Sequence, residues 1–306
     1  MLKLVTFSAA KGLSHVGAVL NNKNVVHLHA VDASFPDDML TLIERGPDAL
    51  RHAKEIVAIA PLSAIHGYPY YTLLAPIVPT RNVFCVGKNY KEHVGEVQFV
   101  KKDVASTEPA EAPTSPVFFT KAPECVVPHF THIDAHAGLS KHLDYEVELA
   151  VIIGTGGRDI AVDQAIHHVF GYTCANDVSA RDVQRKHLQW FKGKSLDRSC
   201  PLGPCIVPHA ELPLSAVGPN GQPNLALQLW LNGALKQNSR TNRMIFSVPQ
   251  IISSLSEGFT LKPGDVILTG TCEGVGYAQK PPRCLLPGDF VKIEIENIGV
   301  LENDVR

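Results

Sequence analysis

The sequence predicts an α+β chain, mainly β, built from many short strands and a few short helices. Three observations lead there. Short apolar or alternating runs bounded by turn residues recur through both halves of the chain. Pro-Gly-Asp occurs at 263–265 and again at 287–289, each time opening an apolar run, and Asn232-Gly233 is a strong hairpin signal. The helical patterns are short and do not alternate regularly with strands, which argues against a doubly wound sheet.

In order along the chain, residues 2–8 read as a strand, and 17–20 with 25–29 as a hairpin. Met39, Leu40, Leu42 and Ile43 mark one helical pattern, and Ala49, Ala53, Ile56 and Val57 a second. Pro61, Pro69, Pro76 and Pro79 punctuate a connector. The length of 306 residues allows two domains, and the boundary falls near residue 78: a small N-terminal domain over 1–78 and a catalytic body over 79–306. The body opens with a strand at 83–86 and a short helix at 89–99. Residues 100–115 carry charges, Ala and Pro with almost no bulky apolar side chain, so 89–115 reads as a lid. A half-buried strand follows at 145–153, then a short helix at 162–168, a strand at 169–175 and a helical pattern within 179–191. Strands at 225–231, 265–269 and 289–296 and a helix at 247–256 complete the list.

Composition narrows the function classes. With 28 basic and 30 acidic residues the formal charge is −2, which gives no field for nucleic acid and no polybasic block for a membrane surface. No apolar run reaches the roughly 18 residues of a membrane span, and the apolar run at the N-terminus is too brief for a signal peptide. A cytoplasmic protein is expected. The seven cysteines form no C-x-x-C pair and mostly sit in apolar runs, as buried thiols do.

The 14 histidines invite a metal reading. His129, His132, His136 and His142 cluster, but no cysteine pair or H-E-x-x-H accompanies them, and Pro128 and Gly138 break any helix that would align them. They read as loop histidines with ordinary hydrogen bonds. His27 and His29 alternate on a strand, and His167 and His168 end a helix; neither pair suggests chemistry. His93 differs, because Glu96 lies one helical turn on and can orient it as a general base.

Glu146 and Glu148 point to one face of a strand, about 6.6 Å apart at roughly 3.3 Å per residue. Where that strand dives into the core, the two carboxylates repel and lose hydration, and a cation between them relieves both costs. Asp177, at the end of the next strand, either caps a helix or completes a three-carboxylate site. All-oxygen ligation favours Mg²⁺, Mn²⁺ or Ca²⁺ over Zn²⁺. Asp182 and Asp144 are weaker candidates.

The residues Gly87-Lys88-Asn89-Tyr90 with His93 and Glu96, Tyr145 to Leu149, Gly171-Tyr172 with Asn176 to Asp182, Gly193 to Asp197, and Leu268 to Thr271 with Gly274 to Gly276 occur in this order over most of the chain. In them the sequence resembles the fumarylacetoacetate hydrolase family. The resemblance implies a β-rich roll or sandwich with a small N-terminal domain, often dimeric, and a metal-dependent enzyme acting on 2-oxo or 1,3-dicarbonyl acids. It implies Glu146, Glu148 and Asp177 as ligands of Mg²⁺ or Mn²⁺, with Ca²⁺ also accepted in the family. It gives His93 and Glu96 the activation of water and places Lys194 near metal and substrate. Arg181, Gln184, Tyr90 and Thr271 then become substrate contacts. Cys272 departs from the pattern, standing where proline is usual, and the stretch after Gln98 is longer than in compact members. The intact His–Glu pair favours hydrolysis of a C–C bond in an acylpyruvate or fumarylacetoacetate-like acid. A 2-oxo acid decarboxylase, or a lyase, isomerase or dehydratase of related acids, is the alternative, and a non-catalytic metabolite binder is the rival from another class.

Overall fold

The computed structural model describes residues 1–9, 12–21, 23–100 and 112–306. The middle of the expected lid, 101–111, lies outside the described residues. The strands used below are β1 (Leu4–Ser8), β2 (His15–Asn21), β3 (Asn24–His27), β4 (Ile65–Gly67), β5 (Val83–Gly87), β6 (Val117–Lys121), β7 (Val147–Ile153), β8 (Val169–Asn176), β9 (Cys200–Pro208), β10 (Ala226–Leu231), β11 (Ala234–Arg240), β12 (Val266–Leu268), β13 (Phe290–Ile295) and β14 (Gly299–Asp304). The helices are α1 (Met39–Glu44), α2 (Gly46–Ile59), α3 (Lys91–Val100), α4 (Arg181–Lys186), α5 (Phe191–Lys194) and α6 (Val248–Ser256).

The fold is mainly β, as expected. The large sheet runs β4-β3-β2-β1-β9-β8-β7-β12-β5-β6, and a second sheet runs β11-β10-β13-β14. Along the large sheet's path every pairing is antiparallel except β12 with β5. A single register, Leu4 opposite Ile206, joins the N-terminal strands to the sheet of the body.

β7 is the keystone. Val147, Leu149, Val151 and Ile153 face one core, shared with Leu227, Leu229, Ile293 and Leu301 of the second sheet. Ala150 and Ile152 face another, shared with Met39, Leu42, Ala53 and Ile56 of α1 and α2. The strand is therefore buried on both faces rather than half-buried, because helices cover one side and a sheet the other. Any polar side chain at its entrance is committed to the interior.

The two Pro-Gly-Asp turns share one construction. Gly264 and Gly288 take φ of 83° and 91°, which glycine adopts without a Cβ clash. The following aspartate then accepts the amide three residues back, Asp265 from Lys262 at 2.7 Å and Asp289 from Leu286 at 2.8 Å. Arg81 and Arg283 neutralise the two aspartates. Asn232 and Gly233 both have positive φ, as the hairpin signal requires. Ser247 and Gln250 form a capping box at the start of α6.

Several expectations shift. The 162–168 helix shrinks to a 3-10 turn at Ala165–His168. The 179–191 pattern splits into α4 and α5, with Leu188 at positive φ between them. His29 leaves the strand, because β3 ends at His27 and Leu28–Val31 is a helical turn. The connector contributes β4, which pairs with β3. All seven cysteines are free, and Cys284 alone is not buried. Among the described residues no helix is long and apolar enough to cross a membrane.

Candidate metal centre and acid–base pair

Glu146 lies just before β7 rather than on it, but its backbone continues the pairing. The Asp177 amide donates to the Glu146 carbonyl at 2.9 Å, and the Asn176 side chain accepts the Glu146 amide at 3.0 Å. Glu148 sits opposite Ala175. The β7–β8 register thus brings the ends of both strands together with three acids, and carboxylate oxygens of Glu146, Glu148 and Asp177 lie within 4.8 Å of one another. All three are buried. Asp177 does not cap a helix; Ala180 holds the N-cap of α4.

Two lysines, both almost wholly buried, answer these acids. Lys194 Nζ donates to Glu146 Oε2 at 2.7 Å and to Asp177 Oδ2 at 2.6 Å. Its position depends on Gly193, where a Cβ would stand 2.6 Å from the Gln184 amide nitrogen. The missing side chain lets α5 close onto α4 and carries Lys194 inward. Lys121, on β6, donates to Asp177 Oδ1 at 2.8 Å and to the Val178 carbonyl. It escaped sequence analysis because nothing near Lys121 in the chain marks it as buried; the apolar run Val117–Phe119 before it was the available signal.

Arg181 donates to Glu146 Oε1 at 2.6 Å and, through two nitrogens, to Asp144 Oδ2. Asp144 also accepts the amides of Tyr145, Gly276 and Tyr277, so it is a buried anchor for Arg181. Asp182 lies apart, bonded to Ser140 and the Lys141 amide. Gln184 is half-buried on α4. Thr271 donates to the Val147 carbonyl and accepts from Gln237, whose Oε1 takes the Val147 amide. These bonds fasten the turn at 269–272 to the entrance of β7. Cys272 is buried there, its carbonyl bonded to Gln237.

The electrostatics are uneven. Burial acts against charge on Asp144, Glu146 and Glu148. At Glu146 the charges of Arg181 and Lys194, with His93 adding to them, overcome burial and hold it well below the usual range. At Glu148 burial and the charges of Asp177 and Glu146 win, and its carboxyl is pushed well up although the Gly270 amide donates to it at 2.6 Å. Burial works against charge on Lys121 and Lys194, but Asp177 keeps both charged. Four buried acids therefore face three cations, and Glu148 is the acid with no cation bonded to it. This all-oxygen set fits a hard divalent ion such as Mg²⁺ or Mn²⁺, which Glu146, Glu148 and Asp177 would hold.

His93 and Glu96 are one turn apart on α3, with His93 Nδ1 at 3.2 Å from Glu96 Oε2. Glu96 Oε1 accepts the Gly274 amide at 2.9 Å. Asn89 pins the chain just before α3, donating to the Thr269 and Phe246 carbonyls and accepting the Phe246 amide. Gly270, at φ 96°, allows this, since a Cβ there would stand 2.7 Å from Asn89 Cβ. The 269–274 loop thus holds both β7 and the His–Glu helix. Tyr90 is fully buried and its hydroxyl has no hydrogen-bond partner among the described residues.

A mainly β fold thus closes on three buried carboxylates that could hold a divalent ion, with a His–Glu pair tied to the same loop. The family profile described as fumarylacetoacetate (FAA) hydrolase, C-terminal, matches residues 82–306. The oxaloacetate tautomerase YisK of Bacillus subtilis (strain 168) is 36% identical over 303 residues, covering 95% of each chain. A fumarylacetoacetate hydrolase from Exiguobacterium antarcticum superposes with a TM-score of 0.80 at 39% identity, covering 100% of this chain and 99% of its own. A 2-hydroxyhepta-2,4-diene-1,7-dioate isomerase from Mycobacterium marinum superposes with a TM-score of 0.72 at 28% identity, covering 100% and 98%. The chain belongs to the fumarylacetoacetate hydrolase family.

Proposed function

We propose that this protein is a divalent-metal-dependent tautomerase of a small 2-oxo dicarboxylic acid of the oxaloacetate type. This replaces C–C hydrolysis as the leading reading: similarity to a tautomerase over nearly the whole chain, and to an isomerase, supports the isomerase alternative. The observation that carries it is the buried Glu146–Glu148–Asp177 cluster with the His93–Glu96 pair fastened to its loop. When bound, the ion supplies Lewis-acid stabilisation of negative charge on the 2-oxo oxygen.

Tautomerisation needs one proton moved between C3 and that oxygen, with no net change of atoms. His93 carries the proton between C3 and the 2-oxo oxygen, and Glu96 holds the imidazole in orientation and stabilises its protonated form. Lys194 and Arg181 hold Glu146 ionised and in place. No water is consumed, so acylpyruvate cleavage is not required of the pair. The working form is proposed to be a homodimer, as the family resemblance implies. The test follows the ultraviolet absorbance of the enol after mixing with Mg²⁺-loaded protein. Faster loss of enol without formation of pyruvate supports the reading; equal rates with and without protein contradict it.

A further inference from the structure

Far from the carboxylate centre, the N-terminal strands gather three imidazoles and one carboxylate around a phenyl ring. His15 and His27 lie on neighbouring antiparallel strands. His27 pairs with Gly17, so His15 is its diagonal neighbour on the same face. Val25 pairs with His66 of β4, which places His66 diagonal to His27 on the other side. The floor is Phe7, fully buried on β1, with its ring centroid 5.8 Å from that of His15, 5.7 Å from His27 and 5.3 Å from His66. Gly17 makes room for it, since a Cβ there would stand 2.9 Å from Phe7 Cε1.

Asp37, in the turn before α1, closes the group. Its Oδ2 lies 2.7 Å from His15 Nδ1, and its Oδ1 lies 3.3 Å from His27 Nε2 and accepts the Val16 amide at 3.1 Å. The two imidazole centroids are 4.2 Å apart. Imidazole nitrogens and a carboxylate oxygen are the donor types that bind zinc-class cations.

We propose that His15, His27 and Asp37 form a site for a borderline divalent cation of the zinc class, with water completing its coordination. One ligand atom from each of the first three lies within 4.8 Å of the others. A tetrahedral zinc with bonds of about 2.0–2.2 Å holds its ligands about 3.4 Å apart, close to the His27–Asp37 spacing seen here. A mixed nitrogen and oxygen set selects zinc, cobalt or nickel over magnesium, the reverse of the carboxylate centre. The side chains of His15, His27 and Asp37 are 20%, 13% and 29% exposed, so an ion reaches them from solvent. Four strand spacings separate β2 from β7 in the sheet, about 19 Å at about 4.8 Å each, so one ion cannot serve both sites. The ion ties β2, β3 and the turn before α1 into one unit.

The probe is Co²⁺, given to the full chain under reducing conditions with Mg²⁺ in large excess to fill the carboxylate centre. The native protein is expected to take up one equivalent of Co²⁺ with visible d–d bands and no thiolate charge-transfer band. Because loss of an outer-shell partner alone costs 10–100-fold in affinity, H15A or H27A is expected to weaken uptake by roughly 100-fold or more. D37N keeps the shape and the hydrogen-bond acceptor, and serves if a histidine variant misfolds. Loss of the bands in a folded variant, with turnover at the carboxylate centre unchanged, supports the site. Equal Co²⁺ uptake by native protein and D37N, or a sulfur-to-cobalt band, overturns it.

Discussion

Lys121 Nζ donates to Asp177 Oδ1 at 2.8 Å, and neither side chain exposes any surface. A charge pair this deep is costly to break by halves, because the partner left behind is a buried ion. It also decides the shape of the centre: Lys121 and Lys194 hold opposite oxygens of Asp177, so the carboxylate cannot turn away from Glu146 and Glu148.

Removing Lys121 tests that relationship. K121M is expected to lower unfolding free energy by about 3 kcal/mol, the lower end for breaking a buried pair, because Lys194 still contacts Asp177. Urea denaturation with and without Mn²⁺ measures it, and the loss should be smaller with the ion present.

Glu148 behaves differently from its neighbours. Burial and two adjacent carboxylates raise it, so without an ion it is close in charge to glutamine. E148Q is therefore expected to leave the metal-free melting temperature unchanged or higher, yet to abolish the rise that Mg²⁺ or Mn²⁺ produces. Turnover should fall at least ~100-fold, since the ion contributes several kcal/mol to charge stabilisation. Thermal scans of both proteins, with and without ion, separate the two effects.

The acid–base role proposed for His93 and Glu96 makes a kinetic prediction. H93A is expected to lose roughly 10²–10⁴-fold in turnover, the usual worth of a positioned acid–base group. E96Q keeps the side-chain shape and the acceptor for the Gly274 amide but cannot stabilise a protonated imidazole, and should fall less. Steady-state rates with unchanged metal affinity in both variants place the loss in proton transfer.

Asp289 supplies a pH dependence away from the centre. Burial raises it, but Arg283, Asn232 and the Leu286 amide together hold it below its ordinary 3.8. A depressed carboxyl stabilises the fold above its unfolded value, and that contribution is lost as pH falls through the folded value. The stability advantage of native protein over D289N is expected to be complete above about pH 4 and to shrink below it. Denaturation midpoints across pH 3–6 check the sign.

Much of this was legible in sequence because it is local. The E-x-E at the entrance of an apolar strand, the i,i+3 His–Glu pair and the Asn232-Gly233 hairpin depend on neighbours in the chain. What was hidden is what the sheet assembles. Lys121 is 56 residues from Asp177 and looks like a surface charge until β6 takes its place. The family resemblance makes Arg181 a substrate contact; its bonds to Asp144 and Glu146 are what strand pairing adds. Likewise His15 and His66 gave no sign of meeting His27, because only the register of β2, β3 and β4 makes them neighbours.

The most direct test of the account is the rate of enol–keto exchange of oxaloacetate in protein stripped of metal and then given Mg²⁺ or Mn²⁺. The account predicts that stripping removes the enzymatic rate, that either ion restores it in native protein and that neither restores it in D177N. Full exchange by stripped protein in excess chelator would contradict it.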